Sequence, residues 1–209
     1  MRWWSRSLVA ALCTVVLATG CDSLHDTFDR LRGEPLVRGA TINPPVPRPD
    51  LTMTSTDGKP YDFAARTRGR VTFITFGYTH CPDVCPLHMA NLAGALDRLT
   101  PAQRARVSVV FVTTDPARDS LPQLRGWLDS FNHSFVGLRG TDQQLAAMEQ
   151  AFHIPPAARE PLPGGGYAVT HSAEVFAFTP DDSAHVIYLP GSTSADYAHD
   201  IPRLLRDVY

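Results

Sequence analysis

The chain has 209 residues, 44% of them hydrophobic and 19% charged, with 19 basic and 21 acidic side chains and a formal net charge of −2. That length suits one domain with short appendages, and that balance excludes a disordered or fibrous chain. No basic excess calls for nucleic acid as a partner, and the scattered arginines (Lys59 is the only lysine) make no polyion-binding run.

Taken from the start, residues 1–20 read as an export signal. Arg2 and Arg6 precede an uncharged, mostly apolar stretch from Leu8 to Thr19. A membrane-spanning helix needs about 20 apolar residues, so this stretch is short for a stable span. The sequence Leu17-Ala18-Thr19-Gly20-Cys21 resembles the lipobox of bacterial lipoproteins, in which the cysteine sulfur takes a diacylglyceryl group. Cys21 is therefore the expected lipidation site and the membrane the expected neighbour, through acyl chains worth about 0.8 kcal/mol per buried CH₂. Asp22 behind it resembles a cue for retention at the inner membrane. Residues 21–50 read as a tether, stiffened by Pro44, Pro45, Pro47 and Pro49.

The domain is expected over residues 51–209. Leu51 to Thr54 and Tyr61 to Phe63 suggest a hairpin turning at Asp57-Gly58. Val71 to Phe76 reads as a strand. Pro86 to Leu99 reads as a helix, with Met89, Leu92, Leu96 and Leu99 on one face. The apolar run Val107 to Thr113 suits a central strand covered on both faces. Helices are expected over Leu121 to Phe131 and Asp142 to Phe152, and a surface loop over Ile154 to Tyr167. Strands Glu174 to Thr179 and His185 to Leu189 then form a hairpin, and a helix from Ser194 to Val208 closes the chain, with Pro202 inside it. Alternating strands and helices give an α/β fold. A βαβ core followed by a hairpin and a helix matches a thioredoxin-like fold, a central mixed sheet with flanking helices.

With Cys13 in the signal and Cys21 lipidated, Cys81 and Cys85 are the two cysteines left in the domain. They lie in Gly77-Tyr78-Thr79-His80-Cys81-Pro82-Asp83-Val84-Cys85-Pro86, between a strand and a helix. Pro86 suits the first helical position, which puts Cys85 at the N-cap and both sulfurs near the positive helix end, where thiolate is favoured. Two such thiolates can form a disulfide, bind a soft metal, or stay reduced and inert. Outside the cytosol a disulfide is permitted. His171, at the mouth of a strand expected to face the cysteine loop, is the candidate third group. Two thiolates and an imidazole suit Cu(I), Cu(II) or Zn(II).

The cysteine motif, Thr114-Asp115-Pro116-Ala117-Arg118-Asp119 and Val169-Thr170-His171-Ser172-Ala173 together resemble the Sco/SenC family of copper-binding proteins, in the same order over roughly residues 40–208. The resemblance implies a thioredoxin-like fold and one copper ion held by Cys81, Cys85 and His171. It also implies a part in building the CuA centre of cytochrome c oxidase, with subunit II of that oxidase, which carries the CuA domain, as partner. Asp115 and Asp119 are then expected to shape the site or a partner surface, or Asp119 to cap a helix. Asp83 is expected to tune the sulfurs or cap. His80 and His88 are expected as solvated surface residues.

Three functions compete: copper delivery, thiol–disulfide reduction of the oxidase cysteines, and peroxidase activity. Thioredoxin-type reductases usually have two residues between the cysteines and a cis-proline opposite them. Here there are three residues, and Val169-Thr170-His171 stands opposite. A histidine offers a ligand where a proline would block one, which favours metal binding. A peroxidase would need an activating arginine near the cysteine. Arg70, the nearest upstream, precedes the strand.

Overall fold

The computed structural model describes residues 36–209, so the export signal, Cys21 and the first part of the tether lie outside the described residues. Ten strands and six helices follow in this order: β1 (Ala40–Pro47), β2 (Thr52–Ser55), β3 (Pro60–Asp62), α1 (Phe63–Thr67), β4 (Val71–Gly77), α2 (Val84–Asp97), α3 (Pro101–Arg104), β5 (Val107–Thr113), α4 (Leu121–Asp129), β6 (Val136–Arg139), α5 (Asp142–Ala151), β7 (Ala158–Pro161), β8 (Tyr167–Thr170), β9 (Val175–Phe178), β10 (Ser183–Tyr188) and α6 (Ser194–Leu204). Eight strands form one sheet in the order β1-β10-β9-β4-β5-β6-β2-β3, and β7 and β8 form a separate hairpin. β4, β5 and β6 run parallel, and the flanking strands pair antiparallel. This is the expected α/β, thioredoxin-like arrangement.

The two central strands show why the sheet carries helices on both faces. Side chains alternate along a strand with a period of two. On β4, Val71 and Phe73 enter one core with Val109 and Phe111 of β5; Ile74 and Phe76 enter the other with Val110 and Val112. The first core is closed by Met89 and Leu92 of α2, Leu124 and Leu128 of α4, and Tyr197 and Ile201 of α6. The second is closed by Phe63 of α1 and by Leu145 and Met148 of α5. A continuous apolar run is what two buried faces require.

Three expectations change. The proline-rich stretch is not free tether: Ala40–Pro47 pairs with β10, and Val37 and Val46 are buried. The prolines keep the backbone extended, as anticipated. They are tolerated in the sheet because β1 is an edge strand, and its register slips between Thr41 and Val46 around Pro44 and Pro45. The domain thus begins near Val37 rather than at Leu51. The long helix starts at Val84, with Asp83 at its N-cap, so Cys85 sits inside the first turn and not at the cap. Pro86 is accommodated because first-turn N–H groups have no helical partner to lose. Finally, the loop expected over Ile154 to Tyr167 holds β7 and the turn of a hairpin whose second strand, β8, begins at Tyr167.

The entry of the chain into the sheet is fixed by one carboxylate. Asp200 on α6, fully buried, accepts hydrogen bonds from the backbone N–H of Arg38 at 2.9 Å and of Gly39 at 3.0 Å, and from the Tyr188 hydroxyl at 2.8 Å. We expect Asp200→Ala to destabilise the fold by about 2–4 kcal/mol, because it strands the buried Tyr188 hydroxyl and two part-buried backbone donors. In hydrogen exchange, β1 amides should lose protection before those of β4 and β5. Unchanged β1 protection would show that the carboxylate does not hold this strand.

Candidate metal centre

β4 ends in Gly77, and the chain then turns through Tyr78-Thr79-His80 to Cys81, whose N–H donates to the Tyr78 carbonyl at 3.1 Å. Cys85 follows on α2, buried beneath this turn. The sulfur of Cys85 lies so close to Gly77 that a Cβ there would stand 2.6 Å from it, so glycine is required for the close approach. His171 comes from the other side, directly after β8. The two Sγ atoms and the imidazole nitrogen lie within 4.8 Å of one another. The Cys85 sulfur is 3.6 Å from His171 Nε2.

The electrostatics of this cluster are asymmetric. The Cys85 thiol donates to the Cys81 sulfur, and the backbone N–H groups of Asp83 and Cys85 point at it from the helix end. Together with His171 these outweigh partial burial and draw the Cys81 pKa down to about 3. Cys85 is driven the opposite way, by its hydrogen bond to Cys81, by burial and by the neighbouring negative charge. The pair therefore holds one proton across the neutral range, as a thiolate at Cys81 and a thiol at Cys85. At His171 burial disfavours the cation, but the hydrogen bond to Cys81 and the Ser172 carbonyl raise the pKa on balance.

The imidazole tautomer follows from its surroundings. Nδ1 is 2.8 Å from the Ser172 carbonyl, which can only accept, so Nδ1 carries the proton in the neutral ring. Nε2 then presents its lone pair toward the sulfurs, the arrangement that a metal-ligating histidine requires. With metal–sulfur bonds near 2.3 Å and metal–nitrogen bonds near 2.0 Å, ligand atoms around one ion stand about 3.5–4 Å apart. The observed cluster needs only small side-chain adjustments to meet that spacing. Its donor set, two sulfurs and one imidazole nitrogen, suits copper or zinc.

Around the donors, the aspartates take distinct places. Asp119 is fully buried and accepts from the Thr79 N–H at 3.0 Å, the Thr79 hydroxyl at 2.6 Å and the Thr113 hydroxyl at 2.6 Å. It holds the cysteine loop against the end of β5. The cap of α4 is Ser120, not Asp119. Asp115, also fully buried, pairs with Arg118 and accepts from the Tyr167 hydroxyl at 2.9 Å. Arg118 donates to the Tyr167 carbonyl at 3.0 Å and stacks over its ring at 3.8 Å. This network anchors the hairpin that leads to His171. Asp83 is exposed and makes no side-chain cap hydrogen bond.

His80 is half-exposed, as expected for a surface residue. His88 is not: it is buried on α2, and Nε2 donates to the Ala173 carbonyl at 2.9 Å, two residues past His171. Its place on the inner face, one turn beyond Cys85, was the available signal. Sequence reasoning also missed Tyr78, whose ring meets His171 edge-on at 5.7 Å, and the anchoring pair Arg118 and Tyr167.

Comparison with known proteins bears on this geometry. A family model described as SCO1/SenC matches residues 42–206. Protein sco1 of Schizosaccharomyces pombe is 30% identical over 137 residues, which are 64% of this chain and 52% of that protein. The chain spans about half the length of the curated relatives it matches. Among solved structures, apo Sco1 from Thermus thermophilus is 29% identical with a TM-score of 0.67, covering 82% of this chain and 94% of that one. Bradyrhizobium japonicum ScoI with copper bound is 26% identical with a TM-score of 0.66, covering 79% and 98%.

The asymmetry of the sulfurs has a measurable consequence. A group whose pKa is depressed stays ionised until the pH falls through that lowered value. Alkylation of Cys81 by iodoacetamide should therefore be flat from about pH 8 to pH 5 and decline only towards pH 3–4, whereas an ordinary thiol with a pKa of about 8.5 loses rate throughout. In Cys85→Ala the Cys81 profile should move to higher pH, because its principal donor is gone. A wild-type profile with an ordinary thiol midpoint would refute the shared-proton description.

Proposed function

The chain belongs to the SCO1/SenC family, and on that premise we propose that it is a membrane-anchored copper carrier. It binds one copper ion through Cys81, Cys85 and His171 and delivers it to the CuA centre of cytochrome c oxidase. The observation that carries this reading is the convergence of two sulfurs and an imidazole lone pair within 4.8 Å, already supported by their own hydrogen bonds. Of the ions that suit such donors, copper is favoured by the relatives, one of which was solved with copper bound.

In this reading copper is cargo. The thiolates supply the soft donors that Cu(I) prefers, and the imidazole improves the match to Cu(II). Three protein ligands leave a position for an incoming donor on the recipient, so that the ion can pass without entering solvent. With a disulfide of the extracytoplasmic space as two-electron oxidant, the same two sulfurs can close to a disulfide, losing two electrons and, from the metal-free pair, the single proton they share. Oxidation would then remove both thiolates and release the ion. That proximity also supports the second reading, a thiol–disulfide oxidoreductase that keeps the oxidase cysteines reduced.

Metal analysis of the reduced protein should give one copper per chain. Cys81→Ser and Cys85→Ser should each lose it. We expect His171→Ala to retain the fold and the dithiol, but to weaken Cu(II) binding by about tenfold or more while changing Cu(I) binding less. Titration of both oxidation states, with thiol content checked in each sample, makes the comparison. Wild-type affinity and spectrum for Cu(II) in the variant would remove His171 from the ligand set and bring the reductase reading forward.

The anchor in this proposal is a diacylated Cys21, with the domain on the extracytoplasmic side. Among the described residues no helix is long and apolar enough to cross a membrane. Labelled fatty acid should enter the wild type and not Cys21→Ser. Equal incorporation in both would rule the lipid anchor out.

A further inference from the structure

An open cavity lies at the end of the sheet opposite the cysteine loop. β4 and β5 are parallel, so their first residues, Val71 and Val107, mark one end and the cysteine loop after Gly77 marks the other. β6 begins pairing only at Val110, which leaves Val107 to Val109 without a strand neighbour on that side. The gap opens into a cavity of about 780 Å³. Arg66, Arg70 and Arg104 line it, and among the described residues no acidic side chain does.

The three cations are held without being neutralised. Arg70 donates through Nε to the Ser108 hydroxyl at 2.7 Å and through Nη2 to the Val107 carbonyl at 2.8 Å. Arg104 donates through Nε to the Leu96 carbonyl at 2.9 Å and through Nη2 to the Leu99 carbonyl at 3.4 Å. Arg66 packs over the Tyr61 ring at 5.6 Å. Among the described residues, none of the three is paired with a carboxylate. Neutral acceptors therefore set the orientation of Arg70 and Arg104 and leave the full positive charge for something else. Like charges facing one cavity repel, and a bound anion relieves that repulsion.

We propose that this cavity binds the phosphate group of a phosphate ester. Arg70 and Arg104 each spend one Nε and one Nη2 hydrogen on the protein and keep their remaining Nη hydrogens for a ligand, while the Arg66 side chain makes no hydrogen bond among the described residues. Donors from three separate arginines fit the spread oxygens of a tetrahedral phosphate, and a phosphate monoester dianion matches three cations better than one carboxylate does. The inner wall is apolar, formed by Leu96, Val107 and Val109, which suits the carbon body of an ester. The ester has two sources, the terminal phosphate of a phosphatidic-acid headgroup or a soluble phosphate monoester. Neither depends on the copper reading, because the cavity and the cysteine loop lie at opposite ends of the sheet.

The test is calorimetric titration of the full chain, in an uncharged detergent, with inorganic phosphate, glycerol 1-phosphate and a short-chain phosphatidic acid. Both esters should bind, and tighter than inorganic phosphate. Arg66→Gln, which removes no hydrogen bond among the described residues, should weaken ester binding by about tenfold, and Arg70→Gln combined with Arg104→Gln should abolish it. Tighter binding of the lipid would identify a headgroup site, and equal binding of the two esters a site for a soluble ester. Equal binding of inorganic phosphate would overturn the ester assignment. Absence of binding, or binding unchanged in Arg66→Gln, would overturn the site.

Discussion

The geometry of the candidate metal centre depends on the buried carboxylate of Asp119. Cys81 has no regular element of its own; it sits in the turn between β4 and α2. What fixes that turn is the pair of hydrogen bonds from the Thr79 N–H and hydroxyl to Asp119, which is held in turn by the Thr113 hydroxyl at the end of β5. Hydrogen bonds to a buried charge are worth more than those between neutral groups, and removing one partner strands the others. Gly77 adds a steric condition, since any side chain there would meet the Cys85 sulfur. Position for Cys81 and space for Cys85 thus come from two different residues. Neither of them is among the three proposed ligands.

The same logic separates what the sequence made legible from what it hid. The central strands were plain because burial on both faces leaves unbroken apolar runs, as in Val107 to Thr113. The cysteine motif and His171 were plain because soft donors are few and their spacing is informative. β1 was hidden because its prolines serve equally well in a free extended tether and in an edge strand; the difference is made by Val37, Val46 and the distant Asp200. β6 was hidden because four residues, one of them Gly137, are too short to show a period. His88 looked like one more surface histidine. Its burial depends on the Ala173 carbonyl, which only the folded chain brings near. Asp115 and Asp119 were visible as candidates, but their partners Thr79, Arg118 and Tyr167 join them only in three dimensions.

The three proposed ligands are not held equally, and the difference bears on release. Cys81 and Cys85 rest on the body of the domain, one in a turn locked by Asp119 and the other packed in the core beside Phe111. His171 follows a two-stranded hairpin, the first strand of which is exposed along its whole length. That hairpin is tied to the body chiefly through Asp115, Arg118 and Tyr167, and the segment after it through His88. Elements with little buried apolar area open at lower free energy than core strands. In a carrier, the third donor is then the one that can withdraw first, leaving an ion on two sulfurs that are still correctly placed. Two thiolates retain Cu(I) better than Cu(II), so loss of the imidazole has different consequences for the two oxidation states. If all three ligands stood on the core, retention and release would require the same large opening. Placing one on a hairpin lets the fold stay closed while the coordination changes.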